Sequence, residues 1–376
     1  MVDKQKKICF VTAARSEYGL LKWLMKDVSE DPGCVFQLIV TGGHLLKEQG
    51  HTIDEIVNDG FRIDAIIDAG ETPNSDRDAA WNMGKIAEGV SDAIHSLQPD
   101  LLFVLGDRYE LLPICSSAFL MHIPIAHISG GDVTEGAIDD GIRNAVSMLA
   151  TYHFPGTEEA AKRLEQMRGN QENIWRVGEP GLDAFFREDL LSRETLAESL
   201  GLNVEKKWIL MTFHPETKQN KDYSVRIVNG IMSLLGNRTE CQVVCTYANT
   251  DVGGKEINLE LRKAESNYDN VFVIPSLGQK RYLSMMNQVD LLIGNSSSGI
   301  TEAPSLGVPV VNIGNRQKGR YQCSNVIQSG GSLEEISGAI DKAMQMKRGD
   351  YRSDYWGDGK TSERILEIMK NRIFMD

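Results

Sequence analysis

The chain of 376 residues is too long for one typical domain, so two of roughly 150–200 residues each are expected. Hydrophobic residues make up 41% and charged residues 25%, the values of a soluble globular protein. A formal net charge of −13 excludes broad nucleic-acid or anionic-membrane binding, which needs basic patches; a few arginines can still form a local anion pocket.

Met1 to Lys7 shows no leader pattern, and no apolar run approaches the ~20 residues that span a bilayer. The six cysteines are scattered, mostly within apolar runs, and Cys241-x-x-x-Cys245 reads as two buried thiols rather than a disulfide or a metal pair. A cytoplasmic protein is expected.

In chain order, residues 7–12 read as a buried strand, 18–29 as a helix, and 35–41 as a strand ending at Gly42-Gly43. A helix at 52–59, a strand at 63–67 and a long helix at 79–97 follow. The strand at 101–105 is stopped by Gly106-Asp107-Arg108, and another is expected at 123–127. A helix over 138–150, a strand over 152–154 and a helix over 158–168 lead to Glu179-Pro180-Gly181, which reads as a boundary. Strand-like runs resume at 208–213, 242–246, 271–274, 291–294 and 308–312. Near-continuous apolar runs between amphipathic helices imply parallel sheets covered on both faces. Two domains are therefore predicted, residues 1–181 and 182–360, with the helix at 361–376 finishing the second or crossing back to the first.

Four strand ends carry chemistry, and parallel sheets place ligands there. Thr12-Ala13-Ala14-Arg15 offers an arginine for a phosphate or carboxylate, yet has no G-x-G-x-x-G, which disfavours a nicotinamide cofactor. Gly106-Asp107-Arg108 sets an acid beside a base; the plainer reading is Asp107 as a helix N-cap with Arg108 solvated. The segment from His127 to Arg143 is the densest. Asp132, Glu135, Asp139 and Asp140 are too many for one cap, and clustered carboxylates raise one another's pKa toward the range of a general acid or base. Arg143 follows Asp139 by one helical turn and can hold that carboxylate or a phosphate. His127 is the only nearby imidazole; no H-x-x-x-H spacing supports a metal, and a satisfied buried histidine is an equal alternative.

The fourth cluster, Gly294-Asn295-Ser296-Ser297-Ser298-Gly299, places hydroxyls and backbone N–H groups at a strand-to-helix turn, a phosphate-binding pattern. Glu302 can accept from ribose hydroxyls, Arg316 and Arg320 can neutralise a diphosphate, and His214 ends another strand of the same half. The second half thus reads as a nucleotide-diphosphate site and the first as a source of acids. The expected architecture is α/β, with two Rossmann-like doubly wound domains facing across a cleft in the GT-B manner.

Arg15-Ser16-Glu17-Tyr18-Gly19, Gly106-Asp107-Arg108, His127-Ile128-Ser129-Gly130-Gly131-Asp132, Ile138-Asp139-Asp140-Gly141-Ile142-Arg143, Phe213-His214-Pro215 and Asn295-Ser296-Ser297-Ser298-Gly299 through Arg320 together resemble the UDP-N-acetylglucosamine 2-epimerases. The likeness is greatest to the hydrolysing branch that feeds sialic-acid-type sugar synthesis. It implies a UDP-sugar substrate, no NAD or metal, and a homodimer or homotetramer. It also implies a reaction. A base removes the C2 proton of the N-acetylhexosamine as UDP leaves C1; water adds to the glycal, and N-acetylmannosamine and UDP are released. By this resemblance Asp107 and Asp139 match catalytic acids. Arg15, His214, Ser296, Ser297, Glu302 and Arg316 match nucleotide contacts, and Arg108 and Arg143 match supporting positions.

Two departures stand out. Relatives often carry glutamate in H-x-E-G-G, where this chain has Ser129, so either Asp132, Glu135 or a water supplies the base or the substrate differs. Some carry a lysine soon after the first arginine, where this chain has Leu20. Relatives acting on the 2,4-diacetamido-2,4,6-trideoxy sugar of legionaminic-acid synthesis look much like this chain. A non-hydrolysing 2-epimerase, a GT-B glycosyltransferase and a catalytically silent UDP-sugar sensor are the other readings.

Overall fold

Residues 5–47, 50–71, 73, 75–133, 138–216, 221–248 and 253–374 are described by a computed structural model. Among them, strands β1 (Lys6–Thr12), β2 (Cys34–Thr41), β3 (Ala65–Ile67), β4 (Leu101–Leu105), β5 (Ile125–Ile128) and β6 (Tyr152–Phe154) form one sheet in the order β3-β2-β1-β4-β5-β6. Strands β7 (Lys207–Thr212), β8 (Cys241–Thr246), β9 (Val271–Ile274), β10 (Leu291–Gly294), β11 (Val310–Ile313) and β12 (Val326–Ser329) form a second, in the order β12-β11-β10-β7-β8-β9. Every pairing is parallel. Counted from its own first strand, each sheet has the order 3-2-1-4-5-6. That is the doubly wound order, whose topological switch lies between strands 1 and 4. The expected α/β class, with two Rossmann-like sheets, is what the chain adopts.

Alternate residues of each central strand feed opposite faces. Ile8 and Phe10 join Leu38, Phe103 and Phe154 on one face, whereas Cys9 and Val11 join Ile39, Leu102 and Val104 on the other. In the second sheet Ile209 and Met211 point one way, and Trp208 and Leu210 the other. Each such side chain, fully buried, contributes roughly 1.5–3 kcal/mol, which is why these strands read as unbroken apolar runs.

The chain divides into two compact units. One contains Ile138–Ala184, the chain up to Asp132, and the chain from Gly359 on; the other contains Phe185–Asp358. The helix Thr361–Ile368 packs in the first unit, where Ile365 and Met369 enter the core beside Tyr18, Leu21 and Met25 of the helix Arg15–Glu30. Its start is fixed by Asp183, whose two carboxylate oxygens accept from the amides of Thr361 (2.9 Å) and Ser362 (2.7 Å).

Strand positions expected from sequence lie within two residues of those observed. The helices between the strands of the second unit, such as Lys221–Gly236, Gly254–Asn267 and Leu333–Ala343, were implied by the alternation but not placed, and the helix Leu111–Leu120 and the strand β12 were not expected. The helix is apolar on nearly every face and shows no period, and β12 is a four-residue edge strand with only two aliphatic residues.

Candidate active site

In the first sheet the switch point lies beyond Thr12 and Leu105, the last residues of β1 and β4. Beyond β1, Glu17 folds back on its own turn: Oε2 accepts from the amides of Ala13 (2.7 Å) and Ala14 (3.2 Å). This fixes the turn that presents Arg15, an exposed residue at the first position of its helix. Burial, with Glu110 adding to it, pushes the Glu17 carboxyl up to about 7 despite Arg108 and the two amides. Beyond β4, Arg108 forms a two-point ion pair with the buried carboxylate of Glu110 (3.0 and 3.2 Å). The following helix begins at Leu111, with Glu110 at its N-cap position, so Asp107 lies in the turn and is not the cap.

Asp107 is bound instead by Arg143. Arg143 is fully buried, 1% exposed. Its Nη2 binds Asp107 Oδ2, Nη1 donates to the carbonyl of Asp132 (3.0 Å), and Asp140 Oδ1 lies 3.5 Å from Nη1. One cation thus gathers a residue from the turn after β4, one from the turn after β5 and one from the helix Asp139–Leu149. Asp132 itself is buried, 8% exposed, and Asp139 is the half-buried first residue of that helix. Glu135 lies outside the described residues.

His127 has a different place from the one expected of a catalytic group. It is fully buried on β5, with Nδ1 3.0 Å from Ser147 Oγ and Nε2 2.8 Å from the Gly106 carbonyl. Only an N–H can meet a carbonyl, so Nε2 carries the proton and Nδ1 accepts from the serine. Burial holds the ring neutral, with its pKa pushed down to about 4. Both nitrogens are engaged, and the ring fastens the turn that carries Asp107.

The second switch point lies beyond β7 and β10. Asn295 clamps the two strand ends: Oδ1 accepts from the amide of His214 (2.7 Å) and Nδ2 donates to its carbonyl (2.9 Å). The Asn295 carbonyl in turn accepts from Arg316 Nη1 (3.2 Å) and Gln317 Nε2 (2.9 Å). Gly294 allows this approach. Its φ is +137°, and a Cβ there would stand 1.9 Å from the carbonyl of Thr212. His214 is kept neutral, its pKa lowered to about 3 by burial and by Arg316.

Ser296, Ser298 and Tyr282 form a hydroxyl chain, with Oγ to Oγ 3.0 Å and Tyr282 Oη to Ser298 Oγ 2.7 Å. Ser297 is the N-cap of the four-residue helix Ser298–Thr301. Glu302 follows it and accepts from the Thr301 hydroxyl; burial raises its carboxyl above the ordinary range. Glu216 supports the turn carrying Arg316 by accepting from the amide of Asn315 (2.9 Å).

The expected residues therefore fall into two sets. Asp107, Asp132 and Arg143 meet in the first unit, with Arg15 and Arg108 on neighbouring turns. His214 and Arg316 meet through Asn295 in the second, with Ser296, Ser297 and Glu302 along the turn after β10. Sequence reasoning missed Asn295, Glu216, Tyr282 and Gln317. Asn295 adjoins a marked serine run and was readable as a strand-end clamp; the other three carry no local signal.

The sequence profile of the UDP-N-acetylglucosamine 2-epimerase family matches residues 26–370. The chain is 32% identical to a UDP-N,N'-diacetylbacillosamine 2-epimerase (hydrolyzing) of Legionella pneumophila over 365 residues, 97% of this chain and 96% of that protein. It is 34% identical to a GDP/UDP-N,N'-diacetylbacillosamine 2-epimerase (hydrolyzing) of Campylobacter jejuni over 339 residues, 90% of this chain and 87% of that one. Its fold is similar to the crystal structure of UDP-GlcNAc 2-epimerase from Neisseria meningitidis bound to UDP-GlcNAc, with a TM-score of 0.82 at 18% identity, covering 97% of this chain and all of that one. A family profile over nearly the whole sequence and two relatives alike over most of their length show that this chain belongs to the UDP-N-acetylglucosamine 2-epimerase family.

Proposed function

We propose that this protein is a hydrolysing 2-epimerase of a UDP-linked 2-acetamido sugar. The observation that carries this reading is the Asp107–Arg143–Asp140 constellation with the buried Asp132 beside it. Elimination needs a base at C2 and a cationic setting for departing charge, and these residues supply both kinds of group in one place. The C2–H electron pair forms the C1–C2 double bond as UDP departs with the C1–O pair. Water then gives its oxygen to C1, and C2 is reprotonated from the opposite face. The products are UDP and the free manno-configured sugar. Asp107 and Asp132 are the proposed acid and base, with Asp139 and Glu135 as further acids of the same segment. His214, Ser296, Ser297, Glu302 and Arg316 are the proposed UDP contacts of the second unit, and Arg15 and Arg108 are proposed substrate contacts of the first. The half-buried neutral imidazole of His214 and the hydroxyls of Ser296 and Ser297 can donate to phosphate oxygens.

The names of the two relatives favour UDP-2,4-diacetamido-2,4,6-trideoxyglucose as the substrate. UDP-N-acetylglucosamine, leading to N-acetylmannosamine for sialic-acid-type sugars, is the second reading, favoured by the motif resemblance. Each UDP-sugar is incubated with the protein in D₂O and followed by NMR. Free manno-configured sugar carrying deuterium at C2, with UDP, is expected from one of them. A UDP-linked manno sugar as sole product would make the enzyme non-hydrolysing, and UDP release only with an added acceptor would make it a glycosyltransferase.

A further inference from the structure

The segment after β5 turns on a residue in an unusual conformation. Ser129 has φ +58°, the left-handed region, which a residue with a Cβ adopts under steric strain. Its amide donates to the carbonyl of Phe154 (3.0 Å), and its hydroxyl donates to Glu179 Oε2 (3.1 Å). Glu179 lies fifty positions away and is only 9% exposed. The fold makes room for it: a Cβ on Gly156 would stand 1.8 Å from Glu179 Oε1. A buried carboxylate is tolerated where hydrogen bonds meet it. Glu179 does not serve its own turn, because the short helix Pro180–Leu182 that it precedes receives no side-chain cap.

Beyond Ser129 each residue is fixed in turn. Gly130 packs where a Cβ would stand 2.9 Å from both His127 Nδ1 and Ser147 Oγ. Gly131, at φ +81°, lies against Ala160, and its carbonyl accepts from Arg163 Nη1 (3.0 Å). Asp132 then offers its carbonyl to Arg143, which holds Asp107. A rotation at Ser129 would re-aim Asp132 and Arg143 together.

We propose that Glu179 is a positioning residue: through the Ser129 hydroxyl it holds the left-handed turn that aims Asp132 and Arg143. This rests on the proposed function, and the position matches the one where the sequence lacks a relative's glutamate. The carboxylate comes here from a distant segment and acts on the backbone rather than on substrate.

The test uses the full-length protein with the UDP-sugar that the wild type turns over; an inactive wild type would count against the function, not against this role. Misplacing a catalytic group by about 1 Å lowers turnover on the order of 10²-fold, so Glu179→Ala is expected to lower kcat by ten- to a hundredfold. KM and UDP affinity are expected to stay within about threefold, since no UDP contact moves. Glu179→Gln, whose amide oxygen still accepts from the serine, is expected to restore most of the lost kcat. Ser129→Ala keeps the demand for a left-handed residue without the bond and should fall with Glu179→Ala. Ser129→Gly adopts that conformation freely and should recover most of what Ser129→Ala loses, also in the Glu179→Ala background.

Amide exchange at residues 129–132 reports the same order of variants without substrate: faster in Glu179→Ala and Ser129→Ala, near wild type in Glu179→Gln. If Glu179→Ala does not fold, the Ser129→Ala and Ser129→Gly pair decides alone. The role is overturned if Glu179→Gln is as impaired as Glu179→Ala, if Ser129→Gly is no better than Ser129→Ala, or if UDP affinity falls as far as kcat.

Discussion

Arg143 is the residue whose loss the first unit should tolerate least. It is buried and holds two carboxylates and a backbone carbonyl from three separate segments. Arg143→Ala is expected to destabilise the protein by about 3 kcal/mol, read as a lower urea midpoint; the partial exposure of Asp107 and Asp140 keeps it at the low end of the range for breaking a buried pair. Arg143→Lys should recover little, because an ammonium cannot bridge Asp107 and the Asp132 carbonyl as a fork. Asp107→Asn keeps shape and removes charge. It is expected to cut turnover by about 10²-fold or more while UDP still binds by calorimetry; unchanged turnover would remove Asp107 from the chemistry. The identities of these residues stood out in the sequence because several ionisable groups crowd a glycine-rich turn. Their partnership did not, since Asp107 and Arg143 are 36 positions apart and only the sheet order brings the turns after β4 and β5 together. Ser129 and Glu179 were visible as a departure and as a boundary, with nothing local to join them.

The strands were legible almost to the residue, because burial on both faces leaves a continuous apolar run and glycine or a charged turn marks its end. In the first half helices were legible where one face is polar, whereas those of the second half were implied only by the alternation of strands. The helix Leu111–Leu120 lacks such a face and gave no period to read. The helix Thr361–Ile368 was legible as an element and ambiguous in its docking, which depends on a carboxylate far away in the chain. Asp183 meets two amides at its first turn, where four backbone donors would otherwise be unsatisfied. Asp183→Ala is expected to lower stability by about 1–2 kcal/mol and to speed amide exchange across 361–369; Asp183→Asn, which still accepts one bond, should lose about half of that.

Across the whole molecule, acid sensitivity follows from buried imidazoles. Burial pushes His44 and His127 down to about 4, and His153 and His214 down to about 3. On unfolding each returns to its ordinary value of 6.5 and takes up a proton anywhere between the two values. The unfolded state therefore binds more protons in that window, and stability falls as pH is lowered below 6.5, on the order of 1.4 kcal/mol per pH unit for each imidazole. Glu17 has the opposite sign. Raised from 4.5 to about 7, it is protonated in the fold and ionised in the unfolded chain between those values, so its contribution is lost as pH rises through 7. Burial raises the Glu216 and Glu302 carboxyls in the same sense. The four imidazoles outweigh these three carboxyls, and the melting temperature in calorimetry is expected to drop steadily from pH 6.5 to 4.5; a flat profile would show that the imidazoles are charged in the fold.

Another consequence concerns the order of synthesis. The first unit is assembled from segments on both sides of the second, and its core takes in Ile365 and Met369. During translation the second unit can therefore be finished while the first still waits for its last helix. A stop after Asp358 should leave the Phe185–Asp358 unit protease-resistant and the unit made before it open to cleavage, the reverse of what chain order alone would predict.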